Sequence, residues 1–457
     1  MEQSPQNLIP NTDRMTLAAH ARATLVLGVP LIGSHLAQMA LHVTDTVLLG
    51  WYGVHELAAV VLGTSMFWVI FVFGSGFAQA VMPLVAQSMG RGDEVQVRRD
   101  TRMGLWLSIG FGLLTYPLFW WSEALLLALG QEVDVARLGQ DFLRIAGLGM
   151  IPALMVMAIK GYLAALERTQ VVLWVTLAAV LVNAALAYAL IFGHWGAPEM
   201  GVRGAGWASL MVQILTAVLL FAYAGWLPAL RRFRLLQRFW RIDRGALLSV
   251  FRMGWPIGVT ALAESGLFSA TAVMMGWIGA IPLAAHGIAL EVTSLTFMAH
   301  LGLSNAATVR AGRAHGAGDA QGLRDGAKAA IGLSVTIGVV NIVLMLVFAN
   351  QIIGVFLDMA KPASDEILAY GVMLLMFAAL FQMADAMQVM ALGLLRGMHD
   401  TRVPMIMATV SYWVIGMPAG YILGFSLGLG GGGLWLGLVI GLTFAAVAMM
   451  WRFWRRA

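Results

Sequence analysis

The 457-residue sequence contains no cysteine and has few charged residues. The absence of cysteine excludes a disulfide framework and every metal site with a thiolate ligand. Charged residues make up 11% of the chain, against roughly 25% in a soluble globular protein. The glycine-rich run at 428–433 is followed by neither Lys nor Ser, so it does not form a phosphate-binding loop. These absences argue against a disulfide-linked extracellular domain and against a protein driven by nucleotide hydrolysis.

Apolar residues dominate what is present. They account for 60% of the chain, and the mean hydropathy is +0.82. They come in runs of about 20–30 residues, which are long enough to cross a hydrocarbon layer as helices. A helix satisfies its own backbone hydrogen bonds, which lipid cannot do for it. The first run, from about residue 23, is too long for a signal-peptide core. The sequence therefore predicts an all-α, multi-pass membrane protein.

Charge clusters, Gly and Pro divide the chain into twelve predicted membrane-spanning helices. Their approximate bounds are 23–51, 57–83, 103–128, 141–166, 170–193, 200–226, 246–278, 283–310, 326–356, 367–395, 402–424 and 432–453.

The basic residues are distributed unequally between the two sides of this arrangement. Of the 28 Lys and Arg residues, all but Arg137, Arg144, Arg203 and Lys361 fall on one side. The positive-inside rule makes that side cytoplasmic, together with both termini. The basic excess thus predicts topology and contact with membrane lipids, and we do not expect a nucleic-acid partner.

The chain contains an internal repeat. The stretch SMGRGD at 88–93 recurs as AHGAGD at 314–319, displaced by 226 positions. The same displacement aligns 28–57 with 254–283, where 10 of 30 residues are identical. Two halves of six spans each enter the membrane from the same side, as in transporters built from parallel repeats. SMGRGD is therefore predicted to be a cytoplasmic turn and not an adhesion motif.

The repeat and the spans predict a domain organisation with an Arg-rich linker on the membrane surface. The predicted segments are a cytoplasmic N-terminal segment at 1–22, a six-helix bundle at 23–226, the cytoplasmic linker at 227–245, a second six-helix bundle at 246–453, and a cytoplasmic tail at 454–457.

Four acidic residues fall inside predicted spans: Asp45, Glu264, Glu291 and Asp385. An ionised side chain at mid-membrane costs at least about 2.5–3.5 kcal/mol, so it requires a reason. Glu264 and Asp385 facing one cavity would share a proton or bind a small cation. Glu291 lies nearer the outer surface, where exposure to water explains it equally well. We expect no basic residue near mid-depth to pair with these acids.

Asp45 ends a polar series on the first span. His35, Gln38, His42 and Asp45 are spaced by 3, 4 and 3 residues, which places them on one helical face. Asn183 in the fifth span is a candidate amide neighbour for Asp45. A seam of interhelical hydrogen bonds without any transport role remains an alternative for this face.

Several motifs together resemble one transporter family. They are Pro30 fifteen residues before Asp45, the stretch Ala80–Asp93 with its repeat, NAALAYALIFG at Asn183–Gly193, and ALAESG at Ala261–Gly266. Over about residues 15–455 the chain resembles the multidrug and toxic compound extrusion (MATE) family, specifically its bacterial NorM-like branch.

This resemblance implies a V-shaped pair of six-helix bundles that exports amphipathic cations by antiport with Na⁺ or H⁺ through alternating access. Carried over to this chain, Glu264 and Asp385 form a cation site, with Na⁺ as one candidate occupant, and Asp45 forms a second site with Asn183. Pro30 and its repeat partner Pro256 mark helix bends.

One position departs from the NorM-like pattern. Phe381 stands where a tyrosine is often found, four residues before Asp385, so the hydroxyl is lost and only a cation–π face remains. Gln38, the repeat partner of Glu264, adds a further polar candidate.

The resemblance also implies a monomeric, non-enzymatic transporter of the bacterial inner membrane, with a coupling ion and no cofactor. Two alternatives stay open. A flippase for lipid-linked precursors shares the fold, although we expect none of the arginines that such a cavity would carry; a channel is the other.

Overall fold

The structure, a computed structural model, describes residues 15–358 and 363–457. Most of the predicted N-terminal segment, 1–14, and Lys361 lie outside the described residues. Within the described residues all regular structure is helical, and twelve helices are long and apolar enough to cross a membrane. The predicted all-α fold with twelve spans is confirmed. We number these helices α1 to α12: Leu17–Tyr52, His55–Gly90, Glu94–Trp120, Val133–Ala165, Thr169–Phe192, Val202–Trp226, Arg244–Ile278, Ala280–Ala317, Ala320–Val347, Ser364–Gly397, Arg402–Ser426 and Gly430–Arg456.

Some helices extend further toward the Arg-rich loops than hydropathy predicts. Helix α8 continues to Ala317, so Arg310 and Arg313 lie in its last turns and not in a loop. Helix α2 breaks at Ala80 and resumes over Val81–Gly90. Pro83 is then in the first turn of the resumed helix, where its missing N–H leaves no hydrogen bond unmade.

The repeated motif forms the same turn in both halves. In SMGRGD, Gly92 adopts a φ of 71°, and the carboxylate of Asp93 caps α3 by accepting from the backbone N–H of Gln96 at 2.9 Å. In the second half Gly318 adopts a φ of 72°, and Asp319 caps α9 in the same manner. A left-handed glycine followed by an N-capping aspartate explains why the stretch recurs.

Two prolines lie inside long helices. Helices α1 and α7 continue through Pro30 and Pro256 respectively. Each proline removes one backbone donor from the helix interior. In α7 the hydroxyl of Thr260 donates to the carbonyl of Pro256 at 2.8 Å. Bending at these two positions stays a prediction.

Each set of six helices buries apolar side chains, and the two sets meet through shared apolar clusters and through glycines. A Cβ atom added at Gly76 of α2 would lie 2.3 Å from the backbone nitrogen of Gly258 of α7. The repeat-related contact is between Gly302, the partner of Gly76, and Ile32, the partner of Gly258. A Cβ at Gly302 of α8 would lie 2.4 Å from Cγ1 of Ile32 of α1. The internal repeat is thus expressed as a pseudo-twofold contact between the halves.

A second pair of contacts follows the same symmetry nearer the loops. A Cβ at Gly90 would lie 2.2 Å from the carbonyl oxygen of Arg313, and one at Gly316 would lie 2.2 Å from that of Gln87. We call this region, where glycines of α2 and α8 pack against the opposite half beside the Arg-rich loops, the closed end. Because backbone meets backbone here, only glycine permits the approach.

Polar contacts across the halves also lie at the closed end. Arg313 forms an ion pair with Glu167 and donates to the carbonyl oxygen of Ala165 at 2.7 Å. His399, in the loop before α11, donates from Nε2 to the carbonyl oxygen of Pro83 at 3.2 Å. Burial lowers the pKa of the His399 imidazole to about 4, so this contact does not change with pH near neutrality.

Removing the ion pair is expected to loosen the closed end. Because the chain has no cysteine, a single Gln87→Cys variant reports on access to this interface. Arg313→Gln in that background is expected to speed its reaction with a water-soluble maleimide about threefold, since a partly exposed pair contributes up to about 1 kcal/mol. The swap of Arg313→Glu with Glu167→Arg restores the ion pair but not the hydrogen bond to Ala165, so it is expected to restore the slow rate in part. An unchanged rate in Arg313→Gln would show that the pair does not hold the halves together.

Candidate functional site

The second half contains a buried polar cluster around Asp385. This residue lies on α10 and is 3% exposed, whereas Glu264 on α7 is only partly covered. The two carboxylates are close enough to act on each other electrostatically. Gln388, one turn beyond Asp385, hydrogen-bonds with Glu264 and donates from Nε2 to the hydroxyl of Tyr412 at 2.5 Å. The structure therefore brings the two predicted residues Glu264 and Asp385 together.

Two acceptor atoms in this cluster have no donor. Within the described residues, Oδ1 of Asp385 and Oε1 of Gln388 are buried without a hydrogen-bond partner. A buried oxygen without a donor costs about 1–3 kcal/mol, and more if it is charged. Protonating Asp385 or binding a cation between these oxygens satisfies them. The cluster is chemically suited to a small cation or a proton.

Sequence analysis missed the basic residue at this site. Arg396, in the last turn of α10, acts electrostatically on Glu264 and on Tyr412. Its Nη1 also donates to Oε1 of Gln79, on α2 of the opposite half, at 3.4 Å. No Lys or Arg in the described chain forms an ion pair with Glu264 or Asp385, so the expectation about pairing near mid-depth stands, but a cation at the end of α10 acts on Glu264. Arg396 was assigned to a loop because it lies at the end of its apolar run, and only tertiary packing brings it toward Glu264.

Phe381 lies one turn before Asp385 and is buried. Its ring makes edge-to-face contacts with Phe268 at 5.9 Å and with Trp435 at 5.5 Å between ring centroids. The position is therefore part of an aromatic cluster, and phenylalanine fills it without a hydroxyl that would need a partner.

The first half contains the other predicted pair. Nδ2 of Asn183 donates to Oδ1 of Asp45 at 2.6 Å. Ser209 on α6 also hydrogen-bonds with Asp45. Asn183 is fully buried, and its own Oδ1 lacks a partner among the described residues. A hydrogen bond to a charged group of this kind holds the carboxylate in one orientation.

The polar residues of α1 contact three different parts of the structure. His35 approaches Nδ2 of Asn305 on α8 at 3.1 Å, across the halves, and hydrogen-bonds with Gln38. His42 instead contacts the edge of the Trp68 ring at 6.4 Å. Gln38 thus lies with His35 and not with Asp45. The four predicted polar residues therefore do not form one site.

Two further charged residues lie apart from both clusters. Glu291 on α8 is partly exposed and makes no hydrogen bond or ion pair within the described residues. Lys160 on α4 acts electrostatically on His35 and was missed as a site residue. The signal was available, because Lys160 interrupts the apolar stretch MVMAIKGYL.

Asn183→Leu is expected to slow transport about tenfold, because Asp45 loses a hydrogen bond worth about 1.5–3 kcal/mol to a charged group. The measurement is the initial rate of dye efflux from proteoliposomes. Asn350→Leu, at an exposed asparagine, is the matched control and is expected to leave the rate unchanged. Equal rates in Asn183→Leu and the unchanged protein would assign Asn183 to packing alone.

Twelve membrane-spanning helices in two repeat-related halves, with an acidic side chain inside the spans of each half, are the design of a membrane transporter. The family model described as MatE matches residues 30–189 and 256–422. The chain belongs to this family of transporters. The predicted membership in the MATE family is confirmed, as is the expectation that the chain transports and is not an enzyme.

Relatives and solved structures agree with this assignment. The chain is 47% identical over 436 residues to a "Probable multidrug resistance protein NorM" of Rhizobium meliloti (strain 1021), covering 95% of this chain and 93% of that protein. The Agrobacterium fabrum (strain C58 / ATCC 33970) protein of the same name is 43% identical over 435 residues, which is 95% of this chain and 94% of that protein.

Among solved structures, a "Crystal structure of MATE in complex with MaL6" superposes with a TM-score of 0.87 at 20% identity, covering 96% of each chain. An "Outward-facing conformation of a multidrug resistance MATE family transporter of the MOP superfamily" gives a TM-score of 0.84 at 21% identity and the same coverage. These likenesses confirm the predicted V-shaped, two-bundle fold.

Proposed function

We propose that the chain is a secondary active multidrug exporter that expels amphipathic cations in exchange for Na⁺ or H⁺. The relatives named as probable multidrug resistance proteins support the substrate class. The observation that carries the coupling is the pair of unpartnered buried oxygens of Asp385 and Gln388 beside Glu264. These oxygens require a proton or a cation, and an exported drug cation competes for the same negative charge.

Competition at the carboxylates supplies the coupling that an antiporter needs. A cation at Glu264 and Asp385 cancels the charge that attracts the drug, and a bound drug does the same to the cation, so each lowers the other's affinity by the same factor. The Asp45–Asn183 pair serves as a second carboxylate site in the first half. Pro30 and Pro256 are the positions at which α1 and α7 bend during the cycle.

We infer from the position of the closed end the side of the membrane to which the transporter is open in this structure. With the Arg-rich loops and both termini on the cytoplasmic side of a bacterial inner membrane, contacts at the closed end seal that side, and the cleft between the two bundles faces outward. Alternating access then requires the glycine contacts of the closed end to separate for drug loading. The protein acts in this cycle as a monomer.

The proposal is tested with proteoliposomes that contain ethidium. Efflux is followed under an imposed Na⁺ gradient at constant pH, and then under a pH gradient without Na⁺. Efflux driven by Na⁺ alone identifies sodium as the coupling ion, and efflux driven by pH alone identifies protons. If neither gradient moves ethidium, the proposed function is wrong.

One observation favours a second function, transport of a lipid-linked precursor with an anionic headgroup. Arg396, which donates to Gln79 across the halves and acts on Glu264, is a cation that such a headgroup could contact. Saturable binding of a lipid diphosphate to the purified protein, abolished in Arg396→Gln, would support this second function. Ethidium efflux under a gradient would support the first.

A further inference from the structure

A basic cavity lies outside the cleft, where the linker between the halves crosses the start of α3. Its volume is about 600 Å³. The cavity is formed by residues of α3, of the linker and of the first turn of α7, which are Arg98, Arg99, Arg102, Gln237, Arg238, Arg241, Ile242, Asp243 and Arg244. None of these residues belongs to the carboxylate clusters, and the proposed transport cycle does not use them.

Specific contacts fix the linker against α3 and so give the cavity its shape. Nη1 of Arg102 donates to the carbonyl oxygens of Gln237 at 3.3 Å and Arg238 at 3.0 Å. Nε1 of Trp106 donates to the carbonyl of Phe239 at 2.8 Å, and the two rings stack. The backbone is therefore held in place by the α3 side chains, and the linker arginines project from a defined scaffold.

The positive charge of this cavity is not neutralised by the protein. Six arginines face one aspartate, Asp243, which pairs with Arg99 at 3.4 Å and caps α7 through the backbone N–H of Gly245 and Ala246. In the described chain, the guanidinium groups of Arg238, Arg241 and Arg244 make neither a hydrogen bond nor an ion pair.

The inner wall of the cavity carries an unused donor. Arg102 is 6% exposed, and its Nε is buried with no partner in the described part of the chain. A buried donor on a charged group, left without an acceptor, costs more than about 1–3 kcal/mol. The cavity thus combines an excess of positive charge with a buried arginine donor that lacks an acceptor among the described residues, a combination that favours an anionic ligand.

The equivalent positions of the second half do not form such a site. Arg324, the repeat partner of Arg98, donates to the backbone oxygen of Ala457 at 2.9 Å. Lys328, the partner of Arg102, pairs with Asp325 at 3.3 Å. In the second half the chain itself supplies the acceptors, so the unneutralised cavity is specific to the first half and the linker.

Apolar side chains beside the cavity indicate what kind of anion binds. Trp240 is 77% exposed, and Leu236 and Ile242 are also largely exposed. A tryptophan beside arginines at the end of a spanning helix is typical of the membrane interface. The oxygens of a phosphate group would accept from the arginine donors, and the acyl chains of a lipid would cover the apolar residues. We propose that this cavity binds the phosphodiester headgroup of an anionic phospholipid.

A lipid bound here contacts both halves of the transporter. Arg98 and Arg102 belong to α3 of the first half, whereas Arg244 is the first residue of α7 in the second. Beside the cavity, Met103 of α3 packs in one apolar cluster with Ala246 and Val250 of α7. The site is therefore placed where α3 meets α7.

The test is native mass spectrometry of the full chain in a neutral detergent, titrated with dioleoylphosphatidylglycerol or dioleoylphosphatidylcholine. The triple variant Arg238→Gln, Arg241→Gln, Arg244→Gln changes arginines that have no partner in the described structure, so the linker contacts of Arg102 and Trp106 persist. We expect one phosphatidylglycerol to bind at least about tenfold more tightly than phosphatidylcholine, and the triple variant to lose this preference. If this variant unfolds, the double variant Arg241→Gln, Arg244→Gln replaces it.

The control variant also loses three positive charges, at arginines that do not line the cavity. Arg22, Arg168 and Arg231 are exposed, and their side chains have no partner in the described residues. Their triple Gln variant is expected to bind phosphatidylglycerol normally. Equal loss in both triple variants would mean diffuse attraction and would overturn the site. Displacement of the lipid by inorganic phosphate at similar concentrations would overturn the assignment to a lipid, because the acyl chains would then contribute nothing.

Discussion

Asp385→Asn is expected to reduce gradient-driven ethidium efflux by about 100-fold or more. The substitution keeps the size of the side chain but removes the negative charge, whose burial inside a membrane costs about 2.5–3.5 kcal/mol and therefore indicates a functional role. Asparagine resembles the protonated or cation-occupied aspartate, so the variant no longer attracts the drug and no longer responds to the coupling ion. Glu264→Gln is expected to act in the same direction, because the two carboxylates act on each other electrostatically.

A control and a stability measurement separate this effect from misfolding. Asp134→Asn makes the same chemical change at an exposed residue in the first turn of α4 and is expected to retain full efflux. Removing a buried carboxylate that lacks a partner relieves a desolvation cost, so the melting temperature of Asp385→Asn is expected to stay the same or rise. Full efflux in Asp385→Asn would remove this residue from the coupling site.

Gly76→Val is expected to reduce efflux at least about tenfold by preventing closure of the halves. The new Cβ would lie 2.3 Å from the nitrogen of Gly258, and 2.4 Å from the carbonyl oxygen of Gly254. Both are backbone atoms of α7, so no side chain can rotate away. The repeat predicts the same loss for Gly302→Val, whose Cβ would meet Ile32. The helix itself tolerates the change, because valine is a better helix former than glycine.

Gly110→Val on α3 is the matched control for this variant. A Cβ at Gly110 has no heavy atom within 4 Å, so efflux is expected to be unchanged. The rate at which a single cysteine at position 87 reacts with maleimide provides a second measurement. This rate should rise in Gly76→Val, because the two halves can no longer close against each other. Normal efflux with a slow cysteine reaction in Gly76→Val would show that close approach of α2 and α7 is not needed for transport.

Much of the fold was predictable from the sequence, because hydropathy in a membrane protein reports directly on burial in lipid. The number of spans follows from the number of apolar runs. The contacts of Gly76 with Gly258 and of Gly302 with Ile32 are related by the internal repeat, which the sequence shows as a constant displacement of 226 positions. The helix ends were less predictable. Helix α8 continues past Arg310 and Arg313, because a charged residue near a helix end can reach the interface without ending the helix.

The candidate site was predictable in part for the same reason. Asp45, Glu264 and Asp385 stand out because an acid in an apolar run is costly, and a single sequence is sufficient to see that cost. The roles of Gln388, Tyr412 and Arg396 depend on how α7, α10 and α11 pack, and no local pattern encodes it. Tyr412 lies in a π-helical segment, Ser411–Gly416, which is an irregularity common at functional sites but without a sequence signature here.

The central claim, that drug and coupling cation compete for the same carboxylates, is tested most directly by the affinity of the purified protein for ethidium. Its Kd is measured across pH without Na⁺, and then across Na⁺ concentrations at one pH. We predict that Kd rises with one of the two cations, approaching tenfold per tenfold increase in that cation, and that Asp385→Asn binds weakly and without this dependence. A wild-type Kd that is independent of both pH and Na⁺ would contradict the claim.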